Sequence, residues 1–195
     1  MLDKKVVFPV VLTAPSGCGK TTLAKYLLDS FSDMKYSISV TTRKPRNKEV
    51  PDKDYYFVPE TVFKDWIKDD KFCEYAKVYD NYYGTLKETL NNSLSDGYKV
   101  LMDLDIQGAK SIKSIYSNSV NIFILPPSLE ELKIRLFNRG GGEKDIDKRL
   151  ELAEVEISHI GEFDYAVVNN NIHEAIAKIV SIIRAEECKI TRLVV

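Results

Sequence analysis

Residues 14–21, with the sequence Ala-Pro-Ser-Gly-Cys-Gly-Lys-Thr, have the types and spacing of a phosphate-binding loop. In such a loop, glycines let consecutive backbone N–H groups turn towards phosphate oxygens, the lysine reaches the terminal phosphates, and the neighbouring hydroxyl can ligate Mg²⁺. An apolar run at 10–13 precedes it, and a helix-like segment at 22–28 follows it. The N-terminus of that helix adds partial positive charge. These residues therefore predict a nucleoside triphosphate site.

The first loop position departs from the usual pattern, because Ala14 stands where the pattern has glycine. Alanine fits there only with a negative φ. A strand followed by Gly-x-Gly-Lys can also be a chance turn, but Lys20, Thr21 and Thr22 at a helix start argue against that. We expect the alanine to reduce local flexibility without loss of function.

The rest of the chain supplies elements that would position this loop. Apolar runs alternate with helical patterns, which is the β-α-β-α order of a parallel sheet covered by helices. Their nearly continuous Val, Ile and Leu content indicates strands buried on both faces. The predicted strands are 10–13, 100–103, 120–125 and 165–168, and the helices that follow the last three are 106–115, 129–137 and 172–187. The sequence thus predicts an α/β fold of the P-loop NTPase type, a parallel sheet flanked by helices.

Residues 37–96 interrupt this alternation. They are rich in Tyr, Asp and Lys, with strand candidates at 55–58 and 72–78 around an amphipathic helix. We predict a small α+β insertion here, between core segments 1–36 and 97–195.

A second irregular segment joins two helical patterns through three successive glycines, Gly140 to Gly142. Glycine runs of this kind are typical of mobile hinges. We therefore predict a lid at about 138–148.

Composition narrows the class of protein. The 195 residues suffice to bury a core without disulfides or metal, and the net charge of −1 gives no general case for nucleic acid or an acidic membrane as partner. Cys18, Cys73 and Cys188 lack the paired spacings of zinc or redox motifs. No signal peptide or run of about 18 apolar residues is found. We expect a cytoplasmic protein, a monomer or weak homo-oligomer, that binds small molecules and neither nucleic acid nor membrane.

Further motifs give the chain a specific resemblance. They are residues 39–46, 53–57, 74–76, 81–84, 103–108 and 135–149. With the loop, and in this order, they resemble the guanylate kinase family over nearly the whole chain. The resemblance implies phosphate transfer from ATP to GMP, and also to dGMP, with Mg²⁺, in purine nucleotide metabolism. It also implies that the insertion binds GMP.

Arg43 and Arg46 are the candidates for the acceptor phosphate. A proline stiffens the loop between them, so that two forked guanidinium groups can meet one phosphate. Such a basic run is otherwise typical of a solvated surface loop. The resemblance favours a site, because it places both arginines with Tyr55 and Tyr83 around the phosphate of GMP, where tyrosine hydroxyls donate without adding charge.

Recognition of guanine requires an acceptor for N1–H and the N2 amine, with donors for O6 and N7. Glu74 with Ser39 and Thr85 supplies this set, although Glu74 taken alone reads as a surface carboxylate. Adenine lacks the N2 donor and has an unprotonated N1, so it would leave a desolvated Glu74 partly unpaired. The family often has serine at the position of Thr85, and it places Asp105 near the base edge.

Asp103 ends an apolar strand, at the edge where parallel α/β sheets bind ligands. A carboxylate there can hold a water of the Mg²⁺ shell, and with the hydroxyl of Thr21 it forms the candidate metal site. Asp103 or Asp105 can instead cap the helix that begins near Ile106.

Phosphoryl transfer needs no protein nucleophile, because catalysis rests on positioning and electrostatic stabilisation. The candidate catalytic residues are Lys20, Arg43, Arg139 and Arg149. The residues expected to bind ATP are Ala14, Pro15, Ser16, Gly17, Cys18, Gly19, Lys20, Thr21, Thr22, Arg135 and Asn169. The resemblance places the arginines of 135–149 in the lid and Asn169 by the adenine. Arg135 and Arg149 also suit helix-surface salt bridges, and Asn169 a plain turn.

Two other functions stay open at this stage. One is a catalytically silent protein-binding module of the same fold, which the intact loop and the glycine-rich lid argue against. The other is a kinase for a different monophosphate, which Glu74 argues against.

Overall fold

The computed structural model describes residues 5–47, 49–78, 80–138 and 143–193. Its strands are β1 Pro9–Thr13, β2 Met34–Tyr36, β3 Val40–Thr41, β4 Tyr56–Phe57, β5 Phe72–Val78, β6 Asn81–Leu86, β7 Lys99–Asp103, β8 Val120–Leu125 and β9 Tyr165–Val168. Its helices are α1 Lys20–Ser30, α2 Glu60–Lys68, α3 Lys87–Ser95, α4 Ile106–Ile115, α5 Leu129–Asn138, α6 Glu143–Ser158 and α7 Ile172–Glu187. Two short 3-10 helices cover Ile160–Glu162 and Ile190–Arg192.

The central sheet has five parallel strands in the order β2-β7-β1-β8-β9. Leu12 of β1 pairs with Asp103 of β7, so the loop after β1 and the end of β7 lie at the same sheet edge. The predicted parallel sheet with flanking helices is confirmed. Strands β8 and β9 and helices α4 and α7 have the predicted bounds.

Side chains of β1 alternate between two hydrophobic cores, because successive residues of a strand face opposite sides of the sheet. Val10 and Leu12 pack in a core shared with α1, α5, α6 and α7. Val11 packs on the other face with Leu90 of α3 and Ile112 of α4. No helix among the described residues is long and apolar enough to cross a membrane.

A second sheet, in the order β4-β3-β6-β5, lies within the predicted insertion. Phe63 of α2 is fully buried against it, with ring centroids 4.3 Å from Phe72 and 5.3 Å from Tyr82. This third core holds the antiparallel pair β5–β6 that carries Glu74 and Thr85. The limits 37 and 96 stay a prediction, since Leu90 of α3 packs with the core of the parallel sheet.

Candidate functional site

The phosphate-binding loop turns sharply between β1 and α1 because two of its glycines adopt positive φ angles. Gly17 has a φ of +97° and Gly19 a φ of +86°, which L side chains rarely adopt. A Cβ on Gly19 would lie 2.7 Å from Nδ2 of Asn169. Among the described residues other than glycine, only Asp52 and Asp70 have a positive φ. Ala14 therefore has the negative φ that alanine requires.

Asn169 supports the loop from the end of β9. Its side chain is buried, and Nδ2 donates to the carbonyl of Cys18 at 2.8 Å. Nη1 of Arg135 in turn donates to the carbonyl of Asn169 at 3.1 Å, while Nε donates to Glu131 at 3.0 Å. Asn169 therefore braces the loop and Arg135 braces Asn169, and the contact of these two predicted ATP-binding residues with ATP itself stays a prediction.

Lys20, the first residue of α1, meets the end of β7. Its Nζ lies 2.7 Å from Oδ1 of Asp103 and donates to the carbonyl of Leu104 at 3.3 Å. Asp105 caps α4, since its Oδ1 accepts from the backbone N–H of Gly108 at 2.7 Å. Of the two aspartates, Asp105 thus takes the capping role, and Asp103 faces the lysine.

Two oxygen groups beside the loop suit a hard cation. Thr21 is exposed in the first turn of α1, and the side chain of Asp103 is partly exposed. Mg²⁺ takes few oxygens from protein and the rest from phosphates and water. Within the part of the chain that the structure describes, no three His, Cys, Asp or Glu residues form a metal cage. Thr21 and Asp103 therefore fit an ion carried mainly by a nucleotide.

The predicted base-binding residues meet on the second sheet. Glu74 of β5 is paired with Thr85 of β6, and the Thr85 hydroxyl donates to Oε1 of Glu74 at 2.7 Å. The pKa of Glu74 is raised overall. Burial and the charge of Asp105 raise it, and the hydrogen bond from Thr85 lowers it. A Cβ on Gly108 would lie 3.3 Å from Asp105 and 3.5 Å from Glu74, so the two carboxylates are neighbours. Ser39 is half-buried just before β3.

Three of the predicted phosphate-binding residues lie close together beside this sheet. The guanidinium carbon of Arg43 lies 4.8 Å from the ring centroid of Tyr55, whose ring lies 6.2 Å from that of Tyr83. The pKa of Arg43 is raised, chiefly by hydrogen bonds to Glu49 and less by Tyr83. Arg46 is exposed. Arg43, Tyr55 and Tyr83 are thus neighbours, and their binding of a phosphate, with Arg46, stays a prediction.

The lid arginines are less well defined. Arg139 and residues 140–142 lie outside the described residues. Arg149 is exposed on α6, and Arg135 of α5 contacts Asn169 and Glu131 as given above. A lid role for all three arginines stays a prediction.

Sequence reasoning missed three residues of this region. Glu49 pairs with Arg43, and its spacing of three and six residues from the two arginines was the available signal. Burial raises the pKa of Glu156 on α6, the charge of Lys20 lowers it and that of Asp105 raises it, so this carboxyl is within electrostatic reach of both residues.

The third missed residue is Tyr36 of β2. Burial raises its pKa, as do the negative charge of Asp103 and the neighbouring Tyr55. No motif in the sequence marked this position. The phenol is therefore within electrostatic reach of Asp103 and Tyr55, although Tyr36 as a whole is 41% exposed.

Comparison with known proteins gives one consistent result. The guanylate kinase family model matches residues 7–186, which include every predicted site residue. The guanylate kinase of Caldanaerobacter subterraneus subsp. tengcongensis is 45% identical over 193 residues, 98% of this chain and 94% of that protein. The guanylate kinase of Rickettsia felis is 49% identical over 181 residues, 92% of this chain and 94% of that protein. The crystal structure of guanylate kinase from Anaplasma phagocytophilum has a TM-score of 0.78 and 37% identity, and the match covers 97% of this chain and 90% of that one.

Proposed function

Because this chain belongs to the guanylate kinase family, we propose that it transfers the γ-phosphate of ATP to GMP in the cleft between the phosphate-binding loop and the second sheet. One observation carries the proposal. Asp103 and the carbonyl of Leu104 contact Lys20, while Asp105, one residue further on, lies beside Glu74. The lysine of the proposed ATP site and the carboxylate of the proposed GMP site are therefore linked through three consecutive residues.

ATP binds on the loop between β1 and α1. Backbone N–H groups and the helix N-terminus surround its phosphates, and Lys20 bridges the β- and γ-phosphates. The contact of Lys20 with Asp103 keeps its ammonium at the strand edge, where the transferred group must lie.

GMP binds on the second sheet. Glu74 accepts from guanine N1–H and N2, with Ser39 and Thr85 as further hydroxyl partners and Asp105 at the base edge. Its phosphate meets Arg43, Arg46, Tyr55 and Tyr83. Because Glu74 is mostly buried, a base that offers it no donors leaves it unpaired, which disfavours AMP.

Thr21 and Asp103 would hold Mg²⁺ with the nucleotide, and bound Mg²⁺ neutralises charge on the phosphates. Arg43 contributes positive charge at the acceptor, as do Arg139 and Arg149 at the lid, where negative charge spreads over the transferred group. We propose further that the enzyme acts on dGMP as well, and that it works in the cytoplasm as a monomer or weak homo-oligomer.

A coupled assay for ADP formation, run with GMP, dGMP, AMP, CMP and UMP, tests the proposal. We expect turnover with GMP and dGMP and little with the other three. Strong turnover with AMP but none with GMP would contradict the proposed base recognition. Calorimetry that detects binding of neither ATP nor GMP would instead support a protein-binding module.

A further inference from the structure

Glu49, in the loop between β3 and β4, holds the acceptor arginine by two hydrogen bonds. Nη1 of Arg43 lies 2.6 Å from Oε2 of Glu49, and Nη2 lies 2.7 Å from Oε1. The side chains are only 11% and 20% exposed. This is the bidentate arrangement of guanidinium and carboxylate, which fixes orientation as well as distance.

Glu49 also connects the two arginine positions. Oε2 of Glu49 accepts from the backbone N–H of Arg46 at 2.7 Å, and the Glu49 N–H donates to the Arg46 carbonyl at 3.1 Å. One carboxylate therefore sets both the Arg43 side chain and the backbone that presents Arg46.

Two donors on one edge of the Arg43 guanidinium are not used on Glu49 or Lys44. A guanidinium has five N–H donors. Nη1 uses its two on Glu49 and the carbonyl of Lys44, which lies 3.1 Å away, and Nη2 uses one on Glu49. The two donors not used on these groups are the Nε–H and the second Nη2–H, which lie side by side and suit two oxygens of one phosphate. The hydroxyl of Tyr83, which also hydrogen-bonds Arg43, is itself predicted to meet that phosphate.

The carboxylate stays ionised wherever the enzyme can be assayed. Hydrogen bonds from Arg43 and from the backbone of Arg46 lower the pKa of Glu49 to about 2. Its negative charge also offsets the repulsion between two neighbouring arginines. The two arginines and Glu49 together keep a net charge of +1, so attraction for a phosphate is retained.

We propose that Glu49 is a positioning residue for the phosphate of GMP. Glu49 holds Arg43 by the Nη1–Nη2 edge of the guanidinium and leaves the Nε–Nη2 edge to the phosphate. This inference rests on the proposed function. A carboxylate that merely occupied the phosphate position would have the opposite effect, because its removal would strengthen GMP binding.

Steady-state kinetics of Glu49→Gln test the inference. We expect the KM for GMP to rise about ten-fold, with the KM for ATP within about two-fold of wild type. Because Arg43 also contributes charge at the transferred group, kcat should fall as well, but by less than the KM for GMP rises. Glu49→Asp keeps the charge and should recover part of the loss. Glu60→Gln is the matched control, because Glu60 pairs with exposed Lys64 on α2 and not with a predicted site residue among those the structure describes, and it should leave all constants unchanged.

Guanosine separates positioning of the phosphate site from general damage to the loop. As a competitive inhibitor without a phosphate, it should bind Glu49→Gln as well as wild type. An unchanged or lower KM for GMP in Glu49→Gln would overturn the inference, and so would an equal loss of guanosine affinity. A wild-type chain without GMP turnover would instead overturn the proposed function.

Discussion

Lys20 and Glu74 are the residues whose environments say most about the proposed chemistry. Lys20 is held at the strand edge by Asp103 and the carbonyl of Leu104. Glu74 is largely buried beside Asp105, with one hydrogen bond from Thr85. The lysine has one of its three donors left for phosphate, and the carboxylate has acceptor capacity left for a base. Each residue can therefore be tested by one substitution.

Lys20→Met should lower kcat by roughly 10²–10³-fold, because a preorganised charge at the transferred group is lost. The KM for GMP should stay within about two-fold, since the acceptor site lies on the second sheet. Steady-state kinetics measure both constants. Lys25→Met, an exposed position on the same helix, is the control, and an unchanged kcat in Lys20→Met would remove this lysine from the mechanism.

Binding of the guanine base should weaken as the pH falls through the raised pKa of Glu74. Above that pKa the carboxylate accepts from N1–H and N2, and below it the protonated acid loses this role. The effect therefore begins above the ordinary value of 4.5. The inhibition constant of guanosine, measured against pH, tests this effect. Guanosine is used instead of GMP because the phosphate of GMP itself titrates near pH 6, at about that pH.

Glu74→Gln is the control for this pH dependence. The glutamine side chain does not titrate, so guanosine should bind this variant more weakly than wild type, with an inhibition constant that does not change with pH. A wild-type profile as flat as that of Glu74→Gln would show that another group binds the base.

At the scale of elements, each half of the cleft depends on a different core. The loop is braced by Asn169 at the end of β9 and by Leu132 of α5 near Gly17. Glu74 and Thr85 depend on α2 and the stacked rings behind β5 and β6. Damage to one core should therefore affect one nucleotide more than the other.

Phe63→Ala should cost about 3–5 kcal/mol of unfolding free energy, because it removes a fully buried aromatic ring. In the protein that remains folded, the KM for GMP should rise more than that for ATP. Denaturant unfolding and kinetics measure these effects. Phe137→Ala, at a position 63% exposed, should leave stability nearly unchanged, and equal effects on both nucleotides in Phe63→Ala would contradict separate cores.

The elements predicted from sequence were those with a strong pattern. Strand β8 and helix α7 were predicted at their observed bounds, because continuous apolar runs and amphipathic periodicity mark them clearly. Strand β3 has only two residues and β2 three, too few for a period to be read. The Arg43–Glu49 pair was missed for a different reason: it depends on the path of a loop, which no periodicity specifies.

At the scale of the whole molecule, the two proposed nucleotide sites lie at the carboxyl edge of one parallel sheet. β1 leads into the donor loop and β7 ends at Asp103, while the second sheet reaches the same edge through the contact of Glu74 with α4. A parallel sheet brings the ends of its strands together at one edge. In-line transfer requires both nucleotides to be bound there at once.

A bisubstrate ligand, with adenosine and guanosine joined by five phosphates, tests this arrangement most directly. Because one molecule would fill both sites, calorimetry should show binding at least about 10²-fold tighter than that of ATP or GMP alone. The diadenosine analogue should lack this gain, since Glu74 gives adenine no match. Binding of the mixed ligand no tighter than that of ATP would contradict a shared two-nucleotide cleft.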